Sequence, residues 1–383
     1  MNKVIKLPFI NKLESHIKSG LGFIQVLIGP RQVGKTTSVL NYLETHHADH
    51  FIYESADLIF NASPQWLIEL WQKAQSEQKL LVIDEIQKCE NWAETIKILF
   101  DKTKRNKQKL NCVLLGSSSL QIQKGLTESL TGRFQLINAY HWNGFESLDG
   151  YDLSFEEYLK FGGYPASYQI QNPQERMSYI RNSIINTVIE KDLLQYNKVK
   201  SPALFKQAFE ILISYPAQEI SYTKILGQIQ ESGNVELVKY YIQLFEGAFL
   251  IKALEKYSSK TVKTKASSPK ILPLAPCLYY STVLAEYDAD EKGRVFELVV
   301  GAQLFKTEMP LYYWREGKFE VDYILKHGKK IWAIEVKSGR KKSTQGLIEF
   351  QKQFPQAVCV IVTPQNYAQF EADPLKFLEG VSG

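Results

Sequence analysis

The feature that most restricts the fold of this chain is a glycine turn between two apolar segments. Residues 27–43 read LIGPRQVGKTTSVLNYL, in which Gly29, Gly34, Lys35 and Thr36 have the spacing G-x-x-x-x-G-K-T. The segment before the turn, GFIQVLIG, predicts a short buried strand, and the segment after it, KTTSVLNYLETH, predicts a helix. A strand, a glycine turn and a helix in this order are typical of a phosphate-binding loop.

The residue types in this turn suit a bound phosphate chain. Glycines let successive backbone N–H groups point inward around phosphate oxygens, and the helix N-terminus adds partial positive charge. We expect the Lys35 amine to bridge the outer phosphates of ATP and the Thr36 hydroxyl to hold Mg²⁺. The alternative is a glycine turn with a solvated lysine. The expected nucleotide contacts are Gly29, Pro30, Arg31, Gln32, Val33, Gly34, Lys35, Thr36 and Thr37.

A second segment places two acids where they can act on the same ligand. KLLVIDEIQ, residues 79–87, predicts a buried parallel strand that ends in Asp84 and Glu85. Open α/β sheets bind their ligands at the carboxyl ends of the strands. We expect Asp84 to act on the magnesium shell, directly or through water, and Glu85 to polarise the attacking water. This pair indicates a hydrolase site.

Two further polar positions follow the next predicted strand, NCVLLGSSS. Ser117 or Ser118 is expected to hydrogen-bond the γ-phosphate or the water, and an ordinary Gly/Ser turn is the alternative. Arg133 follows a glycine in ESLTGRF, from where its guanidinium is expected to reach a phosphate in its own or a neighbouring subunit. A solvated arginine is the alternative there.

Length and composition exclude few classes of protein. A chain of 383 residues predicts two or three domains. The net charge of +5 tolerates a nucleic-acid partner without requiring one. We expect a cytoplasmic protein without a membrane span, because no apolar segment is long enough and no secretion signal is recognisable. The cysteines are too far apart for a zinc knuckle or a redox motif: Cys89, Cys112, Cys277 and Cys359.

Five motifs in order carry a resemblance that extends from about residue 15 to about residue 375. They are GPRQVGKTT, LLVIDEIQKCENW, LLGSSS, SLTGR and FGGYPA. The chain resembles prokaryotic AAA-type ATPases whose C-terminal part is a domain of unknown function similar to restriction endonucleases. The resemblance implies an α/β fold, with a P-loop NTPase parallel sheet, a helical lid, a winged-helix segment and a restriction-endonuclease-like domain. The corresponding boundaries are 1–150, 151–200, 201–275 and 276–383.

The resemblance also assigns roles by position. It gives the phosphate loop to Gly34, Lys35 and Thr36, and the hydrolytic pair to Asp84 and Glu85. It further assigns Ser117 as the sensor and Arg133 as the arginine of the Gly-Arg turn.

The middle of the chain predicts helices. Apolar residues at helical spacing surround a Gly-Gly-Tyr-Pro break in residues 151–200, which suits a lid over the nucleotide. Three shorter helical patterns follow in the order of a winged helix. The third is a candidate to read a DNA groove, and a structural or protein-contacting module is the alternative. Its more polar side carries Glu236, Lys239, Tyr240 and Gln243.

A lysine-rich segment follows these helices. Residues 256–270 contain five lysines and resemble an exposed hairpin or linker. The lysines are candidates to track a phosphate backbone, and a solvated loop is the alternative.

The C-terminal part predicts a helix, three strands, a helix and a strand, the core order of restriction-endonuclease-like folds. Glu297 lies in the first helix, Asp322 in the second strand, and Glu335 and Lys337 in the third. Strand alternation puts Glu335 and Lys337 on one face. We expect Asp322 and Glu335, with Glu297 as a further ligand, to hold Mg²⁺ or Mn²⁺, and Lys337 to orient a water or a phosphate. A charged sheet edge, or a fold kept for binding alone, is the alternative.

These patterns together predict a function. We expect an ATP-hydrolysing AAA-type protein whose nucleotide cycle controls a metal-dependent nuclease-like domain acting on DNA or RNA. The main alternative is an ATP-driven switch that grips nucleic acid or a protein through an inactive nuclease-like fold. A third is a sequence-specific regulator dominated by its winged helix. If Arg133 acts on a neighbouring subunit, the protein is a homo-oligomer.

Overall fold

The computed structural model describes residues 5–116, 119–229, 234–258, 267–283, 286–339 and 344–381. The chain forms two compact units, the first ending at Tyr140 and the second beginning at His141. The sequence pattern instead places the end of the first domain at residue 150.

The first unit is built on a parallel sheet with the strand order β2-β3-β4-β1-β5. Every residue of β1, β3 and β4 is buried, as expected for parallel strands covered on both faces. These strands therefore appear in the sequence as nearly continuous apolar runs, interrupted by Gln25 within β1 and ended by Asp84 in β3. The strands are β1 (Ile24–Ile28), β2 (Phe51–Ser55), β3 (Leu80–Asp84), β4 (Cys112–Gly116) and β5 (Phe134–Asn138).

Helices connect these strands. The α3 helix begins where Ser63 accepts a hydrogen bond from the Trp66 backbone N–H, with Pro64 in its first turn. The strands predicted before the phosphate loop and before Asp84, and the helix predicted after the loop, are confirmed as β1, β3 and α2. The helices are α1 (Pro8–Ser19), α2 (Lys35–His46), α3 (Pro64–Ser76), α4 (Trp92–Arg105) and α5 (Ser119–Ser129).

The second unit begins with helices. The predicted break at Gly162–Pro165 is confirmed, and the helical region after it contains π-helical turns at Ile180–Ile185 and Val188–Leu194. The three shorter predicted helices are present as α9 to α11. The helices up to that point are α6 (Gly144–Tyr151), α7 (Phe155–Phe161), α8 (Pro173–Tyr179), α9 (Pro202–Ile213), α10 (Tyr222–Gln228) and α11 (Val235–Gly247).

Further helices and seven strands lie in the described part of this unit. The helices are α12 (Pro276–Tyr280), α13 (Ala289–Phe305), α14 (Gln345–Gln353), α15 (Tyr367–Ala372) and α16 (Pro374–Val381). The strands are β6 (Gln218–Glu219), β7 (Ile251–Lys256), β8 (Lys270–Pro273), β9 (Leu311–Glu316), β10 (Phe319–His327), β11 (Lys330–Val336) and β12 (Val358–Val362). The predicted order of helix, three strands, helix and strand is confirmed by α13, β9 to β11, α14 and β12.

One mixed sheet includes all seven of these strands, in the order β12-β11-β10-β9-β7-β8-β6. The junction is a parallel pairing of β7 with β9, in which Glu255 lies opposite Tyr312. The strands of the predicted winged-helix segment therefore continue the sheet of the predicted C-terminal domain. The predicted boundary at residue 275 does not separate two sheets.

Strand β10 contains an irregularity at a predicted site residue. Its register against β9 shifts between Val321 and Ile324, so that β10 has one extra residue there. Asp322 and Tyr323 lie in this β-bulge. Bulges occur next to functional sites because they redirect side chains. A close contact with α13 fixes Tyr323, since a Cβ on Gly301 would lie 2.3 Å from its hydroxyl oxygen.

Candidate functional site

The phosphate loop begins directly after β1 and depends on both of its glycines. A Cβ on Gly29 would lie 2.4 Å from the Ala139 carbonyl oxygen, so only glycine fits at this close approach. Gly34 caps the N-terminus of α2 with a φ of 87°, and Gln32 has a φ of 57°. Positive φ values cost glycine little. The loop therefore has the turned backbone that the sequence predicts.

Lys35 is the first residue of α2 and lies inside the loop. Its side chain is buried, and its Nζ donates to the carbonyl oxygens of Gly29 at 2.9 Å and Pro30 at 2.6 Å. Phosphate oxygens are stronger partners for an ammonium than neutral carbonyls, because both partners are then charged. The ammonium is thus held where a phosphate chain bound by the loop would contact it.

Thr36 and Asp84 meet at the carboxyl edge of the sheet. The Thr36 hydroxyl donates to Asp84 Oδ2 at 2.6 Å, although the two residues are 48 positions apart in sequence. Asp84 is the last residue of β3 and is buried. A hydroxyl and a carboxylate are the oxygen donors that Mg²⁺ prefers. The residues present therefore fit the predicted magnesium ion.

The same carboxylate has a partner that the sequence patterns did not identify. The Tyr53 hydroxyl donates to Asp84 Oδ2 at 3.0 Å. Burial, followed by the negative charge of Asp84, raises the pKa of Tyr53 above its usual value. Tyr53 therefore stays a neutral donor that fixes Asp84. Tyr53 lies on β2, and the sequence patterns do not show that β2 pairs with β3.

Glu85 leaves the end of β3 in an unusual conformation. Its φ is 50°, in the left-handed region that residues other than glycine seldom adopt. Its carboxylate accepts a hydrogen bond from Gln87 Nε2 at 2.5 Å. Gln87 also approaches the end of β4, since a Cβ on Gly116 would lie 2.4 Å from its Oε1. Gln87, which the sequence patterns also did not identify, thus connects the predicted catalytic acid to the neighbouring strand.

Arg133 does not join this site within its own chain. It directly precedes β5, whose first residue pairs with Ile24 at the start of β1. A strand of five residues spans about 13 Å, so Arg133 lies at the opposite end of the sheet from the phosphate loop. Its guanidinium forms a bidentate pair with Asp101 of α4, at 2.9 and 3.0 Å. The expected contact with a phosphate of its own chain is therefore wrong.

Ser117 and Ser118 lie outside the described residues. The sensor role assigned to Ser117 stays a prediction.

In the second unit, Asp322 of β10 lies beside the end of β11, which carries Glu335 and is followed directly by Lys337. Asp322 Oδ2 accepts a hydrogen bond from the Val336 backbone N–H at 2.7 Å, and Lys337 Nζ lies 3.2 Å from Glu335 Oε1. Burial, followed by the charge of Asp322, raises the pKa of Glu335 to about 7. Glu335 Oε2 is buried and has no hydrogen-bond partner among the described residues.

A buried lysine lies among these acids. Lys270 Nζ is 2.6 Å from Glu297 Oε1, 3.5 Å from Glu320 Oε1 and 3.8 Å from Asp322 Oδ1. We call these three acids the carboxylate cluster. Burial by itself lowers the pKa of Lys270, but the nearby charges of the cluster raise it above its usual value overall. The ammonium therefore stays charged.

This position corrects a prediction from the lysine-rich segment. Lys270 is the last of the five lysines in residues 256–270, yet only 1% of its surface is exposed. It cannot track a phosphate backbone. Three of the other lysines, Lys260, Lys263 and Lys265, lie outside the described residues.

The carboxylate cluster does not fit the predicted divalent metal while Lys270 is present. Among the described residues, no group of three or more His, Cys, Asp or Glu side chains is arranged to hold a metal ion. A divalent ion 4 Å from an ammonium would be repelled by about 8 kcal/mol at an effective dielectric constant of 20. The predicted ligands Glu297, Asp322 and Glu335 therefore do not form a site that can bind a divalent metal ion while Lys270 is present.

The helix predicted to read DNA is α11. Its basic residue Lys239 pairs with Glu236 at 2.9 Å and lies over the Tyr222 ring. A phosphate contact by Lys239 would compete with this ion pair.

Comparison with known families now identifies the first unit. Residues 22–159 match the model of an AAA domain. This part of the chain is an AAA-type ATPase-like domain. Residues 152–283 and 292–378 match two domains of unknown function, DUF8612 and DUF4143. Neither description names an activity.

Individual relatives add little on function. An uncharacterized protein of Methanocaldococcus jannaschii is 26% identical over 329 residues, which cover 79% of this chain and 72% of that one. The RuvB Holliday junction branch migration motor of Thermotoga maritima has a TM-score of 0.33 and 13% identity, over 64% of this chain and 87% of that one. AMPPCP-bound DnaA of Aquifex aeolicus has a TM-score of 0.33 and 15% identity, over 63% and 89%. The AAA assignment depends on the family model.

Within the part of the chain that the structure describes, no helix combines the length and apolar character needed to cross a membrane.

Proposed function

We propose that the first unit binds ATP with Mg²⁺ and hydrolyses it. The observation that carries this proposal is the 2.6 Å hydrogen bond between Thr36 and Asp84, beside the Lys35 ammonium inside the loop. Mg²⁺ held by Thr36 and Asp84 would neutralise charge on the phosphate oxygens. Lys35 contacts the outer phosphates and stabilises the negative charge that they carry during the reaction.

The remaining residues act on the attacking water. Glu85 orients the water and accepts its proton as the water oxygen attacks the γ-phosphorus. The bond between the γ-phosphorus and the bridging oxygen breaks, and the products are ADP and inorganic phosphate. Gln87 positions Glu85 through its amide, and Tyr53 positions Asp84 through its hydroxyl.

Phosphate release from purified full-length protein tests this proposal. We expect release that requires Mg²⁺, stops on addition of EDTA and returns with excess Mg²⁺, because no other described group replaces the ion at Thr36 and Asp84. Release that is insensitive to EDTA, or no release from folded protein, would contradict it. The same assay tests whether Arg133 acts on a neighbouring subunit. If it does, ATP turnover per chain rises with protein concentration, and Arg133→Ala removes this rise.

For the second unit, we propose that it binds a partner without cutting it, so that ATP operates a switch. Support comes from the carboxylate cluster, in which the Lys270 ammonium lies within 4 Å of an oxygen of each acid and would repel a divalent ion. The proposed partner is nucleic acid, DNA or RNA. The lysines of residues 256–265 supply the charge that phosphate binding needs.

One observation favours the nuclease alternative, in which the nucleotide cycle controls cleavage. Glu335 Oε2 is buried without a hydrogen-bond partner among the described residues. Burying a polar atom unpaired is costly, and such atoms often mark a ligand or ion position. In this alternative, Asp322 and Glu335 hold Mg²⁺ or Mn²⁺, and Lys337 orients the water.

Labelled single- and double-stranded DNA and RNA, incubated with Mg²⁺ or Mn²⁺ and with or without ATP, separate the two functions. The switch predicts binding that changes with ATP and no cleavage under any condition. Cleavage by wild-type protein that is lost in both Glu335→Ala and Lys337→Ala would establish the nuclease instead. Cleavage unchanged by both substitutions would indicate a contaminating enzyme.

A further inference from the structure

The carboxylate cluster is joined by one ammonium that comes from a distant part of the sequence. Lys270 lies on β8, Glu297 on α13, and Glu320 and Asp322 on β10. A lysine ammonium has three N–H donors. Acceptors for all three lie around Nζ: Glu297 Oε1 at 2.6 Å, the Asp322 carbonyl oxygen at 3.2 Å and Glu320 Oε1 at 3.5 Å. Lys270 thus directs two hydrogen bonds and a further ion pair into this cluster.

The surroundings of Lys270 are fixed by packing. The Tyr323 ring centroid lies 5.0 Å from Nζ, which places the aromatic face near the ammonium. The Tyr323 hydroxyl donates to the Glu297 carbonyl oxygen at 2.9 Å and packs against Gly301. Strand β8 itself is paired on both sides, with β7 and β6. Packing and strand pairing therefore hold the Lys270 side chain in this site.

The ammonium occupies the oxygens that the sequence pattern assigns to a metal. Glu297 and Asp322 are predicted ligands, and both are within 4 Å of Lys270 Nζ. Removing one partner of a buried ion pair leaves uncompensated charge. The fold thus supplies one covalently attached positive charge to these acids.

We propose that Lys270 takes the place of a divalent cation in this unit, and that removing its ammonium converts the carboxylate cluster into a metal site. Carboxylate oxygens are the ligands that Mg²⁺ and Mn²⁺ prefer, and oxygens of Glu297, Glu320 and Asp322 lie 2.6, 3.5 and 3.8 Å from the point that Nζ occupies. An ion at that point would draw these oxygens closer once the lysine is gone. This inference rests on the non-cleaving function proposed above for the second unit. It is independent of ATP hydrolysis by the first.

Binding of Mn²⁺ alone to the full-length chain, without nucleotide, tests the inference. All variants carry Asp84→Asn and Glu85→Gln so that neither acid at the phosphate-loop edge contributes a carboxylate, and free Mn²⁺ is followed by its electron paramagnetic resonance signal. With Lys270 present, we expect no Mn²⁺ bound at the cluster. Lys270→Ala is expected to bind one Mn²⁺ per chain at least tenfold more tightly, and adding Glu297→Gln to it is expected to abolish the gain.

Thermal unfolding gives a second readout that needs no activity. Lys270→Ala should unfold at a lower temperature than its parent and regain part of the loss with Mn²⁺, whereas the parent should not respond. Lys270→Met, which keeps side-chain length without the charge, repeats the test if alanine prevents folding. Either of two results would overturn the inference. The first is that the protein with Lys270 binds Mn²⁺ and that Glu335→Gln abolishes this binding. The second is that a Lys270 variant folds but gains no Mn²⁺ binding.

Discussion

Replacing Lys35 with alanine is expected to lower ATP turnover by about two to three orders of magnitude, the usual effect of removing one preorganised charged donor. The side chain is buried inside the loop, where its ammonium contacts the carbonyl oxygens of Gly29 and Pro30. No other described lysine lies in this turn. The other cation of the loop, Arg31, is only partly buried and does not occupy the position of the Lys35 ammonium.

Phosphate release at saturating Mg²⁺ measures this effect. Lys73→Ala is the matched control, because Lys73 is an exposed lysine on α3 of the same unit. It should leave turnover unchanged. Wild-type turnover in Lys35→Ala would show that hydrolysis occurs elsewhere or comes from another protein.

Replacing Glu85 with glutamine is expected to separate binding from hydrolysis. The amide keeps the size of the side chain but cannot accept the proton of the attacking water. General-base catalysis contributes about 10² to 10⁴ in rate, so hydrolysis should fall within that range while ATP still binds. The phosphate loop, Thr36 and Asp84 are unchanged in this variant. ATP should therefore remain bound for many minutes instead of being turned over.

Labelled ATP retained after rapid gel filtration measures the trapped complex. Glu90→Gln is the control, since Glu90 is an exposed acid five residues farther along the chain. It should turn over ATP like the wild type. Two results would contradict the role of Glu85 as the base that accepts the proton of the water. They are normal ATP hydrolysis by Glu85→Gln and loss of ATP binding by this variant.

The candidate nucleotide site could be predicted because its parts are local in sequence. The glycine spacing, the following lysine and the flanking strand and helix all lie within 25 consecutive residues, 22–46. Asp84 and Glu85 could be added because parallel strands bring their carboxyl ends to one edge. The structure confirms this placement through the contact between Thr36 and Asp84. Tyr53 and Gln87 could not be predicted, because their contacts depend on strand pairing and on side-chain direction. The sequence patterns show neither.

The rule that placed Asp84 correctly also explains the error at Arg133. Arg133 precedes its strand, whereas Asp84 ends its strand. In a parallel sheet, residues before a strand lie at the amino edge, away from the ligand. The Gly-Arg motif suggested an arginine that binds phosphate. The direction of the strand, however, determines which ligand this side chain can contact. A contact across subunits remains the role that this position allows.

The buried position of Lys270 could not be predicted from the sequence. Its neighbours in sequence are lysines and serines typical of an exposed segment. Its contacts come from α13 and β10, which lie 27 or more residues away. Only the continuous sheet, in which β7 joins β9, brings β8 to these acids. Glu335 and Lys337 were placed on one face because alternation along a strand is a local property, and Asp322 was identified by its place in the preceding predicted strand.

Titration calorimetry of ATP with Mg²⁺ tests the central claim most directly. Wild-type protein and Glu85→Gln are each expected to take up one ATP per chain, and Lys35→Ala none at the same concentrations. A well-folded wild-type protein that takes up no ATP, or a Lys35→Ala protein that binds it as tightly as the wild type, would contradict the assignment of the phosphate loop.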